Sequence, residues 1–266
     1  MTFLRFFCFF CLISLAFAHE AFDSHLLLKP LVLEAPESGE NQLKEVDGEI
    51  RLRCDSWRFN VEANNLNPWR TIPKNCTEYV KQYVTGRAYQ LELKIASNEA
   101  GIFAKSVKLV GDGKDVWIFD IDETLLSNLP YYTEHGYGSE GFKADEFDSW
   151  VQMGMAPAIQ PSLELYKELL DLGFKVVLLT GRSEYQREAT TQNLINAGFN
   201  DWDRLILRRD DDHGKPAVLY KSEKRSEMEN EGFRIIGNSG DQWSDLLGMS
   251  ISIRSFKLPN PMYYIS

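Results

Sequence analysis

A chain of 266 residues with 44% hydrophobic and 26% charged residues has the composition of one sizeable globular domain plus appendages. Its formal charge of -10 and pI near 5.0 leave it without the basic footprint that a nucleic-acid or anionic-membrane surface requires. Any phosphate bound here must be held by a local cationic pocket or a metal.

Residues 1–18 read as a secretory signal. Arg5 precedes the apolar run 6–18, which closes on Ala16-Phe17-Ala18 ahead of His19-Glu20, so cleavage is expected after Ala18. The run is shorter than the roughly 20 residues that span a bilayer, and no later stretch is apolar enough to do so. The expected destination is the secretory pathway, in the vacuole or the cell wall, with no membrane attachment after cleavage. Of the four cysteines, Cys8 and Cys11 fall in this leader. Cys54 and Cys76 remain to form a disulfide in an oxidising compartment, two free thiols being the alternative. Closing that loop of about 22 residues stabilises by roughly 3 kcal/mol in the chain-entropy model. Asn75-Cys76-Thr77 is an N-glycosylation sequon whose use at Asn75 competes with pairing of its own cysteine.

Residues 19–110 read as an N-terminal extension with one long helix, because Tyr79, Val80, Tyr83, Val84, Ala88, Leu91 and Ile95 recur at three- and four-residue steps. Nothing in it has catalytic spacing. A cysteine phosphatase loop is excluded, since Asn60 and Gln82 stand six residues after Cys54 and Cys76, where an arginine is needed.

From residue 111 the pattern changes to short apolar runs alternating with amphipathic stretches, the mark of βα units around a parallel sheet. Strands are expected at 116–120, 175–180, 204–207, 234–237 and 250–253, and helices at 163–172, 185–197 and 216–229, each stopped at or near a glycine. The residues just past the strands carry the chemistry: Asp120 and Asp122 after the first, Thr180-Gly181-Arg182 after the second, Gly240-Asp241 after the fourth. Parallel strands bring such ends to one crevice. Each group alone has a bland explanation as a cap or turn brace, but the coincidence at three strand ends argues for a site.

Phe119-Asp120-Ile121-Asp122-Glu123-Thr124, Leu178-Leu179-Thr180-Gly181-Arg182, the lysine of Leu219-Tyr220-Lys221-Ser222, and Gly237-Asn238-Ser239-Gly240-Asp241-Gln242-Trp243-Ser244-Asp245 resemble, in order, the four motifs of the haloacid dehalogenase superfamily. The wording is similar to the plant acid phosphatases and vegetative storage proteins of its acid phosphatase branch, subfamily IIIB. The resemblance implies an α/β fold, a Rossmann-like three-layer domain over 111–266 with a small cap insertion at about 125–160, preceded by the helical extension.

Phosphate monoesters hydrolyse so slowly unaided that nucleophile, charge neutralisation and leaving-group protonation must all be supplied. A carboxylate nucleophile divides the reaction into two steps through an aspartyl-phosphate, and Asp120 is the candidate. A cation must bridge an anionic nucleophile and a phosphate, and Mg2+ favours oxygen ligands. Asp120 and Asp241 suit it. The resemblance adds the backbone carbonyl of Asp122 as a ligand, with Asp245 binding directly or through water. It also makes Asp122 the general acid, with a pKa raised by burial beside other carboxylates. Thr180 with the amides around Gly181 would bind phosphate, and Lys221 would neutralise it. Lys215 and Lys224 compete for that role, the bland reading of 221–225 being a solvated helix face. Arg182 reads as a surface ion pair or a substrate contact.

Thirty-odd residues after the first strand exceed an ordinary connection. The resemblance makes them a cap whose Tyr131, Tyr132 and Trp150 are available to stack on a substrate, core packing being the alternative. The expected activity is a secreted or vacuolar Mg2+-dependent acid phosphatase acting on a small phosphate monoester, with a homodimer left open. Two alternatives stand beside it: a storage protein with incidental hydrolysis, and a phosphotransferase to alcohols. Storage members tend to have lost the nucleophilic aspartate, and Asp120 is retained.

Overall fold

The computed structural model describes residues 39–266, with side chains from 47 on; the leader expected at 1–18 lies outside them. Three helices come first, α1 (Gly39–Glu62), α2 (Thr77–Val84) and α3 (Arg87–Ser106). Cys54 and Cys76 form the expected disulfide, which ties α1 to the turn before α2. The single helix expected through 79–95 is two. The chain leaves α2 at Thr85, whose hydroxyl turns back to the Lys81 carbonyl, and Gly86 follows in extended conformation. A Cβ at Gly86 would lie 2.4 Å from the Gln82 carbonyl oxygen, so glycine permits the break. The apolar stripe changes frame there: Val80, Tyr83 and Val84 are buried, whereas Leu91 and Ile95 are exposed and α3 buries Tyr89, Leu93, Ala100 and Ala104 instead.

β1 (Asp115–Phe119) follows, then α4 (Leu129–Glu134) and α5 (Ala144–Met153) in the cap, and α6 (Gln160–Leu172). The rest alternates as β2 (Lys175–Ser183), α7 (Arg187–Asn196), β3 (Arg204–Arg208), α8 (Ala217–Asn230), β4 (Arg234–Gly240), α9 (Trp243–Leu246) and β5 (Arg254–Lys257). The five strands make one parallel sheet in the order β3-β2-β1-β4-β5. Residues 46–266 form one compact unit.

Alternation along β1 sorts its side chains between two cores. Val116 and Ile118 pack with Val177, Leu179 and Tyr220 under α8. Trp117 and Phe119 pack on the other face with Tyr166, Leu178 and Phe256 beneath α3 and α6. Both faces are covered, which is why the strands read as continuous apolar runs.

Trp117 stacks on Phe256 at 5.4 Å and donates its indole N–H to Ser239. Its neighbour across the sheet is Gly237, where a Cβ would sit 2.3 Å from the indole ring. Gly237→Ala is therefore expected to destabilise by about 2 kcal/mol through overpacking, read as a fall of roughly 4–8 °C in unfolding temperature. An unchanged midpoint would mean that Trp117 is free to move.

The last strand begins later than the expected 250–253. Arg225, fully buried on α8, donates to the carbonyls of Asp245, Leu247, Met249 and Ser250. Those bonds pin the end of α9 and the loop 247–250 against α8, and pairing with β4 starts at Arg254 opposite Gly237. Among the described residues no helix is long and apolar enough to cross a membrane.

Candidate active site

β1 ends at Phe119, and the amide of Asp120 still bonds the Ser239 carbonyl on β4. A tight turn follows in which Leu125 and Leu126 donate to the Ile121 carbonyl and Glu123 takes a left-handed φ of 53°. This turn sends the carboxylates of Asp120 and Asp122 to different partners. β4 delivers Asp241 at its end, α9 brings Asp245, and α8 carries Lys221 toward both.

Carboxylate oxygens of Asp120, Asp241 and Asp245, all buried, lie within 4.8 Å of one another. Lys221 Nζ joins two of them, at 2.5 Å from Asp120 Oδ1 and 2.5 Å from Asp245 Oδ1. Asp241 is braced from three sides: Asn260 and Gln242 donate to Oδ2, each at 2.7 Å, and the Thr124 hydroxyl donates to Oδ1. Asp245 Oδ2 accepts the Gln242 amide at 2.9 Å. Burial raises the proton affinity of Asp120 well above the usual carboxylate range; Lys221 opposes this, and Asp245 and Asp241 add to it. Burial and the charge of Asp245 likewise push Asp241 to about 7. Burial works against the Lys221 charge too, but Asp120 and Asp245 outweigh it and raise its pKa. Three buried carboxylates around one ammonium leave an excess of negative charge and a set of hard oxygen donors, and both suit a divalent cation.

Asp122 belongs to a different arrangement. Arg182 clasps it with Nη2 at 2.8 Å from Oδ1 and Nε at 3.1 Å from Oδ2, and Asn128 Nδ2 donates to Oδ1 at 2.8 Å. The expected rise in its pKa is not found. Burial does act in that direction, but the charge and hydrogen bonds of Arg182 win and hold the carboxyl below its ordinary value. Arg182 is only 5% exposed and donates its remaining Nη1 to Thr190 Oγ1 at 3.1 Å, so it is no surface ion pair.

These groups open on a crevice of about 560 Å³. Asp120, Asp122, Lys221, Asp241 and Asp245 reach it, and so does Gly181. The Thr180 side chain is fully buried behind, its hydroxyl oxygen accepting the Arg182 amide at 3.1 Å. Lys221 and Ser222 are buried, and Arg225 fully so, which removes the solvated-face reading of 221–225. Lys215 pairs with Asp212 and Glu223, and Lys224 with Asp212 and Glu227; neither lines the crevice.

Tyr131 and Tyr132 of α4 line the outer wall with Tyr263, which stacks on Tyr132 at 5.3 Å. Trp150 does not line it: its indole N–H is committed to Asn128 Oδ1 at 2.8 Å. Thr124, Asn128, Asn260 and Tyr263 also hold the site together, and the sequence pattern does not mark them as site residues. The only local signal was that Glu123 and Thr124 adjoin the two aspartates; Asn260 and Tyr263 meet the site from 19 and 140 residues away.

The model of the haloacid dehalogenase superfamily, subfamily IIIB (acid phosphatase), matches residues 39–266. The chain is 59% identical to acid phosphatase 1 of Solanum lycopersicum, over 98% of its own length and all of that protein. It is 43% identical to the stem 28 kDa glycoprotein of Glycine max, over 80% of this chain and 84% of that one. With vegetative storage protein 1 of Arabidopsis thaliana it shares 40%, over 80% and 78%. Among solved structures, the class C acid phosphatase of Bacillus anthracis superposes with a TM-score of 0.60 at 20% identity, over 71% of this chain and 85% of that one, a likeness of fold. A parallel sheet that gathers Asp120, Lys221, Asp241 and Asp245 at its carboxyl ends, matched by this model from residue 39 to 266, makes the chain a member of the acid phosphatase subfamily, IIIB, of the haloacid dehalogenase superfamily.

Proposed function

We propose that the chain hydrolyses small phosphate monoesters in two steps through Asp120. One observation carries the reading: three buried carboxylates and Lys221 meet in the crevice beside a separately held carboxylate, Asp122. Asp120 attacks phosphorus as the ester P–O bond breaks, and Asp122 gives a proton to the departing oxygen. Arg182 keeps Asp122 ionised while the crevice is empty, and an entering phosphate, itself anionic, raises its proton affinity. Asp122 then takes a proton from water as that water attacks the aspartyl-phosphate and releases Asp120. Lys221 spreads the charge that builds on the phosphoryl oxygens, and the Gly181 amide offers them a donor, while Thr180, buried behind the crevice, holds the Arg182 amide and so the turn that presents it. Asp120, Asp241, Asp245 and the backbone carbonyl of Asp122 would hold Mg2+, which screens the nucleophile from the phosphate when bound.

EDTA is expected to lower hydrolysis of p-nitrophenyl phosphate at about pH 5 by at least roughly a hundredfold, since a bound cation contributes several kcal/mol of transition-state stabilisation. Added Mg2+ is expected to restore it. EDTA-insensitive activity would remove the metal from the mechanism.

The same reading places the protein in the secretory pathway, supported by the Cys54–Cys76 disulfide and by the exposed position of Asn75 for glycosylation. Storage as a second role draws support from the stem glycoproteins and vegetative storage protein among its relatives. Protein abundance set against measured turnover separates the two.

A further inference from the structure

Asn128 is fully buried at the entrance to the cap, and none of Glu123, Asn128 and Trp150 lines the crevice. The Trp150 indole N–H donates to Asn128 Oδ1 at 2.8 Å. An indole nitrogen only donates, so this bond fixes which end of the amide is which. Asn128 Nδ2 is thereby turned toward two carboxylates, Asp122 Oδ1 at 2.8 Å and Glu123 Oε2 at 3.1 Å, and both of its protons are used. Glu123, itself fully buried, accepts the Asn128 backbone N–H on Oε1 at 2.5 Å and the Tyr263 hydroxyl on Oε2 at 2.7 Å. Its left-handed φ of 53° is unfavourable for a side chain of this kind, and such strain persists where surrounding contacts enforce it. Tyr263 is anchored in turn by stacking on Tyr132, and the Gln242 amide holds its segment through the Tyr263 carbonyl and the Ile265 N–H.

Seen from Asp122, the two oxygens are unequal. Oδ1 accepts Arg182 Nη2 and Asn128 Nδ2, both at 2.8 Å, whereas the shortest bond to Oδ2 is that from Arg182 Nε at 3.1 Å. A proton on this carboxyl therefore resides on Oδ2. We propose that Asn128, oriented by Trp150 and by the Glu123 carboxyl group anchored on Tyr263, is a positioning residue that holds Asp122 with Oδ2 presented to the leaving oxygen. The proton moves from Oδ2 to that oxygen as the ester P–O bond breaks, leaving the carboxylate paired with Arg182. The inference rests on Asp122 being the acid.

The test compares kcat/KM for glycerol phosphate, whose alkoxide must be protonated to leave, with that for p-nitrophenyl phosphate, whose phenolate leaves unaided. A positioned general acid contributes about 10² to 10⁴ in rate. Asn128→Ala is expected to lose about 10- to 100-fold of this on glycerol phosphate and no more than about threefold on the nitrophenyl ester. Trp150→Phe keeps an aromatic, though smaller, side chain and removes the N–H donor, and is expected to show the same split to a smaller degree; it decides the matter if Asn128→Ala does not fold. Equal losses on both esters, or none, at the parental unfolding temperature would overturn the inference. Asp122→Asn is the control. If it lacks the split, the acid assignment itself fails and takes this inference with it; if it alone shows the split, only the positioning role fails.

Discussion

Asp120→Asn is expected to reduce phosphate release by at least about four orders of magnitude, the scale seen when a nucleophile that works as part of a unit is removed. The fold should survive, because the substitution is nearly isosteric and removes charge from a site that holds too much of it. Burial, Asp245 and Asp241 all favour a neutral group at 120, and Lys221 keeps Asp245 as a partner. The variant is expected to unfold at the parental temperature or slightly above it, measured by circular dichroism beside a p-nitrophenyl phosphate assay. Parental activity in the folded variant would exclude Asp120 as the nucleophile.

Arg182→Ala is expected to have the second-largest effect, on stability as well as rate. It leaves Asp122 ionised, largely enclosed and with Asn128 as its remaining strong donor. Breaking a buried pair by removing one partner costs about 3 kcal/mol or more, and Asp122, whose side chain is 19% exposed, places the loss at the lower end. Because Arg182 holds the Asp122 pKa below its unfolded value of about 3.9, the pair contributes fully above that pH. Its contribution fades as pH falls through the depressed folded value. The gap between parent and variant in urea midpoint should therefore be widest near neutrality and narrow toward about pH 3. A gap independent of pH would mean that Arg182 stabilises by packing alone. Arg182→Lys should fall between the two, since an ammonium cannot reproduce the two-pronged contact.

Both effects arise at residues the sequence treats unequally, and the reason is physical. Asp120 announces itself because four apolar residues run straight into it, and a strand so buried ends where an α/β protein places its chemistry. Lys221, Asp241 and Asp245 are legible through the ordered motifs. Arg182 stands in the second motif, but its role is not legible there, because nothing local distinguishes a buried arginine from an exposed one. Its burial depends on Asp122, 60 residues earlier, and on Thr190. The same gap explains the pKa of Asp122: counting nearby carboxylates predicts a rise, and only the tertiary contact with Arg182 reverses the sign.

The fold shows the same division. β1 through β4 follow from apolar runs closed by turn residues, and local chemistry suffices for them. The alternating stretch Ser250-Ile251-Ser252-Ile253 has strand character too, yet Arg225 spends its guanidinium on the carbonyls of Leu247, Met249 and Ser250 that lead into it, so pairing waits for Arg254. Periodicity likewise carries the helical pattern straight through Gly86, where the backbone in fact departs from the helix. In the cap, Trp150 has the amphipathic character of a substrate-stacking residue, but its N–H is spent on Asn128 and its ring packs against the hydrophobic cluster that includes Tyr132.

The most direct measurement is to quench the protein in acid during turnover of a radiolabelled phosphate ester and to locate the label by peptide mass spectrometry. The expected result is phosphate on Asp120, within the peptide that spans 115–124, and its absence from Asp120→Asn. Label on any other residue, or single-turnover hydrolysis with no phosphorylated protein, would contradict a reaction through Asp120.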